Sequence, residues 1–152
     1  MRLSRWKCLP FVFTLALACN DGTGPPSITD VYVLESVNST PPPVLIHSRD
    51  GYTTTVIWST LSFDDAGMAT LVERMLRTSP NDPPTDQTYT TRYSFRTTEE
   101  NILFDYSPPC PPNALCVAPP IGTVAGSTLT LFYPGNPPFR PPSLFRLAFA
   151  PD

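Results

Sequence analysis

From Ile28 onward, apolar and polar residues alternate with a period of two, interrupted by clusters of proline, glycine and acidic residues. That period marks strands with one buried and one wetted face. The cleanest instance is Thr88 to Thr97, with Tyr89, Thr91, Tyr93 and Phe95 on one face and Thr90, Arg92, Ser94 and Arg96 on the other. Tyr52 to Phe63 is the longest, with Thr53, Thr55, Ile57, Ser59, Leu61 and Phe63 opposite Thr54, Val56, Trp58, Thr60 and Ser62. Ile28 to Val37 sets Tyr32 and Leu34 against Val31, Val33 and Val37. Val44 to Ile46 is a short extended piece, and Met68 to Arg77 and Ile102 to Tyr106 are further strands. Ile121 to Ser127 and Thr128 to Tyr133 read as two strands or one bent strand, and Ser143 to Ala150 closes the series with Phe145, Leu147 and Phe149 inward.

Proline supplies the punctuation. There are 21 in the chain, concentrated at residues 25–26, 41–43, 80–84, 108–120 and 134–142. Proline cannot donate to a sheet ladder, so these clusters are loops and the intervals between them strands. Asp64 to Gly67 is a hairpin loop, and residues 78 to 87 are expected to form a long polar loop. No mature segment sustains a helical period.

About eight short strands in succession, joined by hairpin-like connections, predict an all-β antiparallel up-and-down barrel, since closure removes exposed edges. An open β-sandwich is the alternative. The stretches Tyr32 to Asn38, Leu61 to Gly67 and Gly122 to Leu131 resemble lipocalin-like bacterial lipoproteins of uncharacterised function. The resemblance implies a barrel of eight strands and brings no catalytic residue with it.

The N-terminal residues have a different logic. Arg2, Arg5 and Lys7 precede an apolar run from Leu9 to Ala18, broken only by Pro10 and Thr14. This is the layout of an export signal over residues 1–18, and the run is far shorter than the ~20 residues of a membrane-spanning helix. Ala16-Leu17-Ala18 fits an ordinary A-x-A cleavage site, and the same residues followed by Cys19 resemble a bacterial lipobox. Cysteine parity separates the two readings. Cys8 leaves with the signal, so a lipid on Cys19 leaves Cys110 and Cys116 as an even pair, whereas an unmodified Cys19 is an odd thiol in an oxidising compartment. The expected layout is a signal over 1–18, a flexible tether over 19–27 and one β-barrel domain over 28–152. Cys19 would be lipidated, Cys110 bridged to Cys116, and the protein held by its lipid in the bacterial cell envelope.

Charge and residue inventory then narrow the chemistry. From Cys19 to Asp152 there are seven arginines, no lysine and thirteen acidic residues, a formal charge of −6. An acidic surface without a basic run argues against nucleic acid, whose phosphates need neutralising. The sole histidine, His47, lies in His47-Ser48-Arg49-Asp50, which holds the residue types of a hydrolytic triad. Triad members meet from separate loops, so this run reads as a polar turn. The two cysteines of the domain are too few for a structural zinc site, and their spacing fits a disulfide in an exported protein. No enzyme activity and no cofactor are expected.

What remains is binding. The inward aromatics Tyr89, Tyr93, Phe95, Phe104, Tyr106, Phe145 and Phe149 either fill the barrel or line a site for a small apolar ligand, and their bulk favours filling. The proline-rich and disulfide-closed loops, with Leu115, Val117 and Phe139 as apolar tips, are then the expected contacts for an envelope partner. A monomer is expected. Mass spectrometry of the N-terminal peptide of the exported protein should find an acylated Cys19; an unmodified Cys19 or a start elsewhere would refute the anchor.

Overall fold

A computed structural model of the chain describes residues 31–98, 101–114, 116–135 and 142–150. The export signal, Cys19, Leu115 and Phe139 lie outside the described residues. The described residues form nine strands and no helix: β1 Val31–Val37, β2 Val44–Arg49, β3 Tyr52–Phe63, β4 Met68–Thr78, β5 Thr85–Thr97, β6 Ile102–Tyr106, β7 Ile121–Ala125, β8 Thr128–Tyr133 and β9 Ser143–Phe149. Each pairs antiparallel with its neighbours in the order β1-β9-β8-β7-β6-β5-β4-β3-β2, and β1 also pairs with β3. That last pairing closes eight strands into an up-and-down barrel, with β2 as an extra strand. The sandwich alternative is excluded.

Closure depends on β3 changing partner along its length. Val44 to Arg49 of β2 pair with the first part of β3, from Val56 back to Tyr52, while Val31 to Val33 of β1 pair with Ser62 to Thr60. Bulges accompany the change. The register with β4 shifts between Val56 and Trp58, so Val56 joins Ser59, Leu61 and Phe63 in the interior in place of the Ile57 expected from alternation. A second shift, between Leu34 and Ser36 on β1, turns Val37 inward beside Tyr32 and Leu34.

Other differences are at element ends. β2 runs on to Arg49 because Asp50 and Gly51, with φ of 52° and 82°, make the two-residue turn that feeds β3. A Cβ on Gly51 would sit 2.7 Å from Pro80 Cγ, so the bare backbone is also what lets the next loop pack there. β5 starts at Thr85, since Thr85, Asp86 and Gln87 pair with Arg77, Leu76 and Met75, and the loop between β4 and β5 is shorter than expected. β7 and β8 are separate strands around Gly126.

The interior is filled by side chains. Large residues meet small ones across the strands: Tyr93 lies opposite Ala69, and the Phe104 ring packs over Gly122, where a Cβ would come within 3.1 Å of it. Aromatic edges meet faces along the core, with Phe63 and Phe95 ring centres 4.9 Å apart and Tyr93 and Phe104 5.6 Å apart. Leu147 is fully buried, whereas Leu144, three residues earlier on β9, points outward. Leu147→Ala should therefore cost about 2 to 5 kcal/mol in urea unfolding followed by Trp58 fluorescence. Leu144→Ala should stay within about 0.5 kcal/mol.

Candidate functional site: the proline-rich end and its apolar flank

In an up-and-down barrel, alternate connections fall at the same end. The connections at 64–67, 98–101 and 126–127 are tight and gather at one end, where Val31 begins β1 opposite Ser62 and Ala150 donates to the Val31 carbonyl oxygen. The connections that leave Arg49, Thr78, Tyr106 and Tyr133 fall at the other end, and the last three hold the proline clusters of residues 80–84, 108–120 and 134–142, while residues 38–43 join β1 to β2 part-way along the β3 edge. The chain therefore enters its barrel at the end opposite its proline-rich loops.

The tight end is held by local capping. Asp64 Oδ1 accepts hydrogen bonds from the Ala66 and Met68 amides, both at 2.9 Å. At the proline-rich end, Cys110 and Cys116 are joined in a disulfide with their Cα atoms 6.2 Å apart. Its seven-residue loop is worth about 2 kcal/mol in chain entropy. Val117, expected as an exposed tip, is half-buried. The only histidine lies in β2 opposite Thr54, and Arg49 Nε is 3.2 Å from Asp50 Oδ2. His47, Ser48 and Arg49 thus continue a strand, and only Asp50 belongs to the turn expected for the whole run.

The inward aromatics divide by depth. Tyr93, Phe104 and Phe145 are buried, Tyr89, Phe95 and Tyr106 pack against the core partly covered, and Phe149 stands more than a third exposed at the tight-turn end, its ring 6.1 Å from that of Tyr32. Among them runs a polar row that the sequence pattern did not single out. Ser59, at 0% exposure, faces Glu73, at 8%, and Glu73 faces Tyr89 on the next strand. Its signal was available: Glu73 is the one charged residue in the inward sequence Ala69, Leu71, Glu73, Met75.

Outside the barrel, cross-strand register assembles an apolar row. Leu103 lies opposite Ile121, Ile121 opposite Phe132, and Phe132 opposite Leu144. Their inward neighbours Phe104, Gly122, Leu131 and Phe145 are buried, so alternation turns the four outward. Ile121, Phe132 and Leu144 remain 41%, 43% and 46% exposed. Arg96 ends the row beyond Leu103; at the other end Asn38 binds the Leu144 backbone, with amide to carbonyl at 2.8 Å and Leu144 amide to Asn38 Oδ1 at 2.9 Å. Register thus joins these exposures into one contiguous apolar row.

Two surface cavities flank these features. One of about 570 Å³ lies against the outer wall beside the row, lined by Ser36, Ser39, Ala125, Thr128, Thr130, Leu144 and Arg146. The other, about 280 Å³, lies at the proline-rich end between β3, β4 and the following loop, where Tyr52, Arg77, Asp82 and Thr85 contribute. There the Arg77 guanidinium is stacked 4.7 Å from the centre of the Tyr89 ring. Among the described residues no three His, Cys, Asp or Glu side chains come together as a metal site would require. Searches of protein-family models, curated proteins and solved structures gave no match.

One ion pair on this wall has a defined titration. Arg74 donates through Nε and Nη2 to both carboxylate oxygens of Asp86, at 3.0 and 2.7 Å. Those bonds hold the Asp86 carboxyl below the ordinary aspartate range. With a depressed folded value, whatever the pair adds to stability is present above the unfolded aspartate pKa and is lost as pH falls through the folded one. An NMR titration should find the Asp86 midpoint below that of an unstructured aspartate, and Arg74→Gln should return it toward the ordinary value.

Proposed function

We propose that this protein is a lipocalin-like bacterial envelope lipoprotein, tethered through lipid at Cys19, that acts without catalysis by binding another envelope component at its proline-rich end. The observation that carries this reading is the opposition of the two ends. A tether entering at Val31 holds the tight-turn end toward the membrane and directs the proline-rich loops away from it. The eleven residues Asn20 to Asp30 can span at most about 35 to 40 Å, enough for the barrel to stand clear of the headgroups.

Preorganisation supports the same reading. Proline fixes φ and the disulfide closes its loop, so these connections have little freedom left to lose on binding. The row Ile121, Phe132, Leu144 adds apolar area at the margin where two of these loops join the barrel. A hollow carrier is less favoured because the interior positions are filled by the core.

Photo-crosslinking residues placed at Phe132 and at Asp65 test this directly in cells. The Phe132 position should form an adduct with one defined envelope protein and the Asp65 position should not. Ile121→Ser with Phe132→Ser should abolish that adduct when the crosslinker stands at Leu144, leaving the thermal melt within about 0.5 kcal/mol of the parent. Adducts shared by both ends, or stoichiometric uptake of a fatty acid by the barrel with no effect of these substitutions, would overturn the proposal.

A further inference from the structure

The long wall of the barrel carries a cleft of its own. β5 pairs with β4 from Thr85 to Ser94 but with β6 only from Tyr93 to Thr97, so β3, β4 and β5 run on past their short neighbours at the proline-rich end, where the edge of β5 is open. Arg77 continues the inward series Ala69, Leu71, Glu73 and Met75, which sets it on the inner side of this overhang. Register places Thr54 and Thr85 on either side of it, and all three line the cavity of about 280 Å³. Asp82 reaches the same cavity from the loop between β4 and β5, and the exposed Tyr52 adds an aromatic wall.

The cleft thus holds a cation and a carboxylate that do not satisfy each other. The ion pairs among the described residues are Arg49 with Asp50, Arg74 with Asp86 and Arg146 with Glu35, and neither Arg77 nor Asp82 belongs to one. Both are nonetheless held in place. The Arg77 guanidinium is stacked on the Tyr89 ring, whose hydroxyl donates in turn to Gln87 Oε1. The loop carrying Asp82 is closed on itself, with the Asp82 amide donating to Ser79 Oγ at 3.1 Å and Ser79 Oγ donating to Asp82 Oδ2 at 2.7 Å, and its Pro80 packs against Gly51. Thr53 and Thr78 bond each other at 2.6 Å, whereas among the described residues no protein group bonds the hydroxyl of Thr54 or Thr85. The larger cavity on the outer wall differs in this respect, because its Arg146 is already bound to Glu35 at 3.3 Å.

We propose that this cleft binds a small zwitterion, a molecule carrying an oxyanion and an ammonium group a few bonds apart. The oxyanion lies on Arg77, with the Thr54 and Thr85 hydroxyls donating from either side, and the ammonium donates to Asp82. A simple anion would meet the Asp82 carboxylate in a chain whose charge from Cys19 onward is −6, and a simple cation would meet Arg77. A zwitterion matches both, and because the two charges are fixed beforehand little freedom is lost on binding. The volume is just below the ~300 Å³ at which small-molecule clefts begin, so the recognised group is small. A free amino acid and an ethanolamine phosphate, free or as a lipid headgroup, share this chemistry. The site lies on β3, β4 and their following loop, apart from the apolar row on β6 to β9, and it does not depend on the partner proposed above.

NMR titration of the full exported protein tests the assignment, with O-phosphoethanolamine and glycine as zwitterions and inorganic phosphate and ethanolamine as their separated charges. At least one zwitterion should shift the Thr54, Arg77 and Thr85 amides saturably, with phosphate and ethanolamine each weaker by about tenfold or more. Arg77→Gln should weaken the zwitterion by a similar factor with an unchanged melt, Asp82→Asn should narrow its advantage over phosphate, and Arg92→Gln on the outer face should change neither. Vesicles of phosphatidylethanolamine that displace the bound zwitterion identify a lipid headgroup as the source, and vesicles that leave it bound identify a free solute; both uphold the site. No saturable shift with either zwitterion, phosphate binding as tightly as the zwitterion in the parent protein, or full affinity in Arg77→Gln would each overturn it.

Discussion

Everything in this barrel rests on β3 serving two partners on one edge. Its first part takes β2, its last residues take β1, and the opposite edge is bound to β4 throughout. Without the β1 contact the meander would be an open sheet with both end strands bare. A strand that must hold three neighbours cannot keep a uniform twist, and the extra residue near Ile57 supplies the added bend. The second irregularity, between Leu34 and Ser36, adjusts β1 against β9 so that Tyr32, Leu34 and Val37 all reach the core.

Proline distribution then gives the barrel its polarity. A meander alternates its turns between two ends, and here one end has the short connections at 64–67, 98–101 and 126–127 while the other has the proline-rich ones beside the Asp50-Gly51 turn. Stretches of that composition cannot continue a ladder, so they end the strands. Chain entry is confined to the tight end by the pairing of Val31 with Ser62. The point of chain entry and the proline-rich connections are thereby separated by the length of the barrel, a consequence of strand count and direction rather than of any one residue.

Much of this was legible from alternation. Tyr52 to Phe63, Ile102 to Tyr106 and Thr128 to Tyr133 are strands with the expected bounds, and Tyr89, Tyr93 and Phe95 share the expected face. The errors have a common physical origin. A bulge changes the phase of every later residue, and nothing local near Ile57 or Glu35 marks one, because the cause is the distant pairing that closes the sheet. Val37 and Val56 were for that reason assigned to the wrong face. The outward row was hidden in a different way: each of Leu103, Ile121, Phe132 and Leu144 is an ordinary outward residue of its own strand, and only register aligns them.

The apolar row and the open edge of β5 have one cause. β3, β4 and β5 have 12, 11 and 13 residues, whereas β6 to β9 have between 5 and 7. Short strands place their loop-bearing ends close to the middle of the barrel, and β7 through β9 bring Ile121, Phe132 and Leu144 into line there. The long β5, running on past its short neighbour, keeps backbone donors and acceptors that nothing in its own wall can satisfy. An unequal barrel therefore presents two kinds of unfinished surface, one apolar and one hydrogen-bonding. Water satisfies the second but not the first.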